Sequence, residues 1–178
     1  AGPVPKATCG PHDRVETVQG QTTLAERFRP GPARAYNCNL ELIGQFEGEG
    51  ASADVEIYNQ CAYYSTAGLK PNPEMKNPGV AVLDVSDSAD PKATTYLSSR
   101  AMLGAQESLE VSAVRKLLIA SALPDVFDVY DLSSDCKKPL LVNSQSVPGL
   151  IAHDGEFAPD GMTFYGGKWP SDPKNPPA

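Results

Sequence analysis

The residues best suited to chemistry lie in two short acidic stretches, one at Glu107 and one in the run His153-Asp154-Gly155-Glu156. Carboxylates beside a histidine can hold a divalent cation, or can act as acid and base toward a bound substrate. The same residue types also cap strand ends and satisfy backbone groups there, and that structural role is the favoured one because no metal-ligand spacing is diagnostic. With only His12 and His153 in the chain, a histidine-rich metal centre cannot be built, and no neighbouring motif supports a Ser-His-Asp triad. A P-loop, a Gly-x-Gly-x-x-Gly turn, a Gly-x-Ser-x-Gly elbow and a His-Glu-x-x-His helix are all missing. The expectation is a non-catalytic chain with no obligatory cofactor, for which a divalent cation is the one inorganic ligand the residues would suit.

Composition narrows the partners. A net charge of -7 argues against a nucleic-acid surface, because phosphate binding rests on Lys and Arg. No apolar run reaches the roughly 18 residues needed to cross a bilayer, so neither nucleic acid nor membrane insertion is expected. Seventeen Pro and 15 Gly beside a 40% hydrophobic fraction describe a turn-rich chain of many short elements. The four cysteines, Cys9, Cys38, Cys61 and Cys136, form no Cys-x-x-Cys pair, which disfavours zinc and suits two disulfides in a secreted, periplasmic or cell-surface protein.

Residues 1–37, rich in Pro, Gly, Arg and Thr, read as an extended N-terminal leader, with the run TTLAERF as a turn or two of helix. From residue 38 to 178 short apolar runs alternate with turn signals: LELIGQF, CAYYS, GVAVLDVS, KLLIAS, FDVYDLS and PLLVNS. These predict strands whose alternate residues face opposite sides of a sheet. The runs also repeat. Val82-Leu83-Asp84-Val85-Ser86 aligns with Val129-Tyr130-Asp131-Leu132-Ser133, and the segment from Glu110 to Ser121 aligns with that from Glu156 to Gly167. A third, divergent copy passes through Val55, Cys61, Tyr63 and Ser65. A four-strand unit of about 47 residues is the size of one β-propeller blade. Strands are expected at residues 53–57, 61–65, 80–86 and 92–98, then at 108–112, 117–121, 126–132 and 139–145. A third unit begins at His153 and turns at Asp160-Gly161, where Gly supplies the positive φ of a hairpin. LELIGQF would be the outer strand of a preceding or closing blade.

This all-β, antiparallel blade assignment places the chemistry. Loops entering first strands, and loops joining second to third strands, gather on one end of a propeller around its channel. That end would carry Arg100, Met102, Glu107, His153, Asp154 and Glu156, with Lys70, Glu74 and Lys76 at its rim. The recurrent Asp84 and Asp131 read as acceptors for the turn that follows each strand, not as catalytic acids. The aromatic set Tyr58, Tyr63, Tyr64, Phe127, Tyr130, Phe157, Phe164 and Tyr165 reads as packing between blades, in preference to a carbohydrate platform. Cys61 follows the first turn of one blade and Cys136 sits in the last turn of the next, on the same side of neighbouring blades. A Cys61–Cys136 bridge follows, leaving Cys9 to Cys38, one of three connectivities open to four cysteines.

The runs GVAVLDVSDSADPK and FDVYDLSSDCKKPLLV, with YNCNLELIGQFEGEGAS, QCAYYS, ESLEV and HDGEFAPDG, resemble bacterial LVIVD-repeat proteins over roughly residues 9 to 167. The resemblance implies a propeller fold and a cell-envelope location, and no particular reaction. Because a ring needs at least about four blades, this segment would be incomplete by itself and its partner would be other polypeptide that completes the propeller or an assembly. The function expected is a non-catalytic binding or scaffold module for a protein or small ligand; the alternative is a lactonase-like hydrolase or another enzyme with a metal in the channel.

Overall fold

Short runs rich in Val, Leu, Ile and Tyr, cut by Asp, Ser, Gly and Pro, become ten antiparallel strands among the described residues. The computed structural model describes residues 8–15, 25, 28, 37–49, 54–66, 75–105, 107–122, 125–148 and 152–168, and for residues 152, 153 and 168 the backbone alone. Lys70, Glu74 and most of TTLAERF lie outside the described residues. The chain divides into two units, residues 1–43 and 44–178.

In the first unit the Cys9–Cys38 disulfide closes an irregular knot around Asp13. The Asp13 carboxylate accepts from the backbone N–H of Gly10 and Asn39 and from the Asn37 side chain, which holds it below the usual carboxylate range. Bonds to the backbone of Asn39 contribute most to that shift.

The second unit holds the sheets. Sheet I runs in sequential order through β1 (Val55–Tyr58), β2 (Cys61–Ser65), β3 (Val80–Asp84) and β4 (Lys92–Leu97). Sheet II repeats the order with β5 (Glu110–Ser112), β6 (Leu117–Ala122), β7 (Val126–Asp131) and β8 (Leu140–Ser146). A third, two-stranded sheet pairs β9 (Ala152–Phe157) with β10 (Phe164–Lys168). Every strand stands close to its expected place. One 3₁₀ turn, Met102–Gly104, links the two large sheets.

The repeated Asp-x-Ser run works as a strand stop. Asp84 accepts from the backbone N–H and hydroxyl of Ser86, and Asp131 does the same for Ser133. Each carboxylate satisfies donors released where the ladder ends. Asp84 also pairs with Lys137 of the next unit, and both contacts hold its carboxyl far below the usual range, the Lys137 bond most of all. In the β9–β10 turn Gly161 takes φ 68°, as the Asp-Gly pair requires.

The main core lies between sheets I and II. Tyr63, Val80 and Val82 from one meet Leu118, Ala120, Val126 and Tyr130 from the other, with Met102 and Leu109 filling the link. Along β7 the burial alternates, Val126, Asp128 and Tyr130 being buried and the residues between them half-buried. The disulfide Cys61–Cys136 and a hydrogen bond of 2.8 Å from the Tyr63 hydroxyl to the Cys136 carbonyl tie the sheets together. On its other side, sheet I buries Ala62, Tyr64, Ala81 and Leu83 against Phe46. The far side of sheet II receives the hairpin, where Phe164 meets Phe127 and Phe157, each with ring centroids 5.5 Å apart.

Two expectations need correction. LELIGQF is no strand: residues 40–48 are irregular, and Leu40, Leu42 and Ile43 are exposed. Strand-like alternation makes a strand only beside an edge that pairs with it. Met102 is not on a ligand face; the 3₁₀ turn tucks it fully into the core. Most of the aromatic set does pack, but Tyr165 is 66% exposed.

Candidate functional site

The first strands of the three units lie side by side. Val111 of β5 donates its backbone N–H to Glu56 of β1 at 3.1 Å, and Glu107, ahead of β5, forms a parallel bridge with Asp154 of β9. Glu56, Glu110 and Glu156 hold the same place in their hairpins, opposite Tyr63, Ile119 and Tyr165 respectively. Three successive units therefore set a glutamate at one level of adjoining strands. Asp54, two residues before Glu56, joins them.

Oxygens of Asp54, Glu56 and Glu110 lie within 4.8 Å of one another. All three residues are half-buried, so water screens them incompletely. Burial raises the Glu110 carboxyl most, and the charges of Glu56, Glu156, Asp54 and Asp154 raise it further, to about 8. Glu56 is raised by burial and then by Asp54 and Glu156, against the lowering effect of the Val111 bond. Asp54 is raised by burial and by Asp154, Glu156 and Glu107, against a 2.9 Å bond from the Val55 N–H. The charges acting on each are other carboxylates. Like charges brought this close keep protons or gather a cation.

Of the residues singled out in the sequence, Glu107, Asp154 and Glu156 come together here. The His153 backbone lies in β9, and its side chain is outside the description. Arg100 is exposed in the turn after β4. At the expected rim, the N–H groups of Lys76 and Asn77 donate to the two oxygens of Glu49, a local clasp unrelated to the cluster. Asp54 and Glu56 were missed because the long loop between β2 and β3 displaces the first unit from the repeat offset, whereas Glu110 aligned with Glu156 but was read only as part of the repeat. Aligning the hairpins themselves would have found them.

One more acid, away from the cluster, escaped sequence reading. Asp128 is fully buried between the sheets, where one oxygen accepts from the Ser99 hydroxyl at 2.5 Å and the Ala101 N–H at 2.7 Å. It holds the entry to the 3₁₀ turn. Its signal was an acid on the Val126-Asp128-Tyr130 face, where β7 is otherwise apolar. Near Cys9 and Cys38, Asp13 makes a further acidic grouping, but both sulfurs are spent in the disulfide and offer no thiolate.

Two disulfides fit an oxidising compartment, and no described helix is long and apolar enough to cross a membrane. No protein-family model and no curated protein matches this chain.

Proposed function

We propose that this chain is a non-catalytic, exported binding module built from β-propeller blades of the LVIVD-repeat kind, and that its adjoining first strands receive a hard divalent cation. The arrangement supports a propeller reading: two sequentially ordered four-stranded sheets pack face to face, the third unit starts in register, and the first strands of all three adjoin. The observation that carries the ligand is the meeting of Asp54, Glu56 and Glu110 from two sheets within 4.8 Å, surrounded by further carboxylates. Oxygen-only donors of this charge suit calcium better than a soft metal. The exposed turns of the sheets would offer contacts to a larger partner.

The test is calorimetric titration of the full chain with calcium chloride at pH 7 in two buffers of different ionisation heat. Binding with a dissociation constant of roughly 0.1–1 mM, the range of extracellular calcium modules, is expected. Proton release must accompany it, because Glu110 has to give up its proton. Substitution Glu110→Gln should weaken binding at least about tenfold. Absence of both heat and thermal stabilisation at 10-fold excess over that range (about 10 mM) would refute the reading.

A further inference from the structure

The knot closed by Cys9–Cys38 is held by more than its sulfurs. Hydrogen bonds lace together the two segments that carry the cysteines. The Arg14 N–H donates to the Asn37 side-chain oxygen at 2.8 Å, and the Asn37 N–H donates to the Arg14 carbonyl at 2.9 Å. The Asn37 amide donates to one Asp13 oxygen at 2.8 Å, and the Asn39 N–H to the other at 2.6 Å. Asn39 does so from φ 56°, a left-handed conformation that asparagine tolerates. Both sulfurs and an Asp13 oxygen lie within 4.8 Å of one another. Opening the S–S bond therefore leaves two thiols beside a carboxylate that the Asn39 and Gly10 N–H groups already hold ionised.

The two disulfides stand differently toward a reductant. Cys9 and Cys38 are both half-buried in irregular backbone. Cys61 is 0% exposed in the core between the sheets, and only its partner Cys136 is half-buried. A thiolate attacks one sulfur and expels the other as a thiolate, which an apolar surrounding disfavours. Attack on the accessible Cys136 would expel Cys61 into the core, whereas either sulfur of the knot leaves in contact with water. Reduction is thus directed to the knot. Two thiolates beside Asp13 would then be three like charges, which a divalent cation relieves.

We propose that the knot is a redox-gated metal site: once reduced, Cys9, Cys38 and Asp13 bind a zinc ion, and once oxidised they exclude it. A dithiol supplies the two electrons and two protons that turn the S–S bond into two thiols, and itself becomes a cyclic disulfide. Zinc then displaces both thiol protons to solvent. Oxidation reverses the change: an incoming disulfide takes two electrons from the thiolates and leaves as its own two thiols, the S–S bond re-forms and zinc is released. Two sulfurs with one oxygen suit zinc in preference to a hard cation, and leave the fourth position to water. The cysteines stand 29 residues apart, so no ligand spacing marks the site.

The test starts from the full chain in graded dithiothreitol, trapped with iodoacetamide and mapped by peptide mass. Cys9 and Cys38 should be alkylated while Cys61 and Cys136 remain bridged. At that level of reduction the dithiol is removed under nitrogen and cobalt(II), a coloured stand-in for zinc, is titrated in. Sulfur-to-cobalt charge-transfer absorption and the visible bands of tetrahedral cobalt are expected, both lost when zinc is added. The oxidised chain should show neither, and Cys9→Ser should lose most of the charge-transfer absorption. Asp13→Asn should weaken cobalt binding at least about tenfold and move the visible bands, a change of ligand set that loosening alone would not produce. Loss of Cys61–Cys136 before or together with the knot would overturn the proposal. So would a selectively reduced chain without sulfur-to-cobalt absorption, or an Asp13→Asn variant with undiminished affinity. Cobalt held by the carboxylates of the first strands gives no sulfur band, so the calcium reading stands or falls separately.

Discussion

Replacing Glu110 by Gln tests the electrostatics of the adjoining first strands most directly. A carboxyl moved from its ordinary 4.5 to about 8 in the folded chain binds its proton more tightly there than in the unfolded chain. Between those values the native state carries more protons, so stability falls as pH rises through the window. At full strength a shift of that size is worth about 5 kcal/mol, at about 1.36 kcal/mol per unit. Glu110 is only half-buried, and screening reduces the working figure to about 2 kcal/mol. Urea denaturation followed by far-ultraviolet circular dichroism, at pH 5.5 and 8.5 with the disulfides intact, reads it. Because pH 5.5 lies about one unit inside the window, the wild-type chain should lose about 1.5 kcal/mol between the two, and Glu110→Gln should lose less than half as much. Some slope persists, because Asp54 and Glu56 are raised as well and the three titrate together. Calcium should flatten the wild-type profile. A wild-type stability that does not change over the window, or a Gln variant with the full slope, would refute the reasoning.

Other substitutions probe the frame around the cluster. Changing both Cys61 and Cys136 to Ala opens a loop of 75-residue separation and should cost about 4 kcal/mol in urea denaturation. Asp128→Ala strands the Ser99 hydroxyl and the Ala101 N–H in the core and should cost about 2–4 kcal/mol, with Asp128→Asn recovering part of it. Gly79→Ala places a Cβ 2.0 Å from the Leu97 carbonyl oxygen at φ 120°, and a loss of more than about 2 kcal/mol is expected from thermal unfolding.

Strand positions were legible because apolar runs and turn residues alternate at a regular spacing, and because the Asp-x-Ser stop recurs at Asp84 and Asp131. Local chemistry decides those features, so local sequence reports them. LELIGQF fails for the opposite reason: its alternation is right, and whether it becomes a strand depends on an edge elsewhere in the fold. Half of the carboxylate cluster was visible as Glu107, Asp154 and Glu156. The other half, Asp54, Glu56 and Glu110, lies in and just before β1 and in β5; the repeat marks Glu56 and Glu110 as equivalent to Glu156, but only sheet packing brings their carboxylates together. Met102 and Asp128 teach the same lesson in reverse. An apolar residue in a loop and an acid in a strand were both drawn into the core by the one 3₁₀ turn between the sheets.

The Cys61–Cys136 bridge also changes what a protease can accomplish. Arg115 and Lys116 stand exposed in the turn between β5 and β6, an evident point of attack for a trypsin-like enzyme. A cut there falls between the two bridged cysteines, so the pieces stay joined by sulfur while the core between the sheets holds them in place. Such a nick is invisible on a non-reducing gel and appears as two bands once thiol is added. In a compartment rich in proteases and poor in reductant, the molecule can be severed in its backbone and still endure as one body.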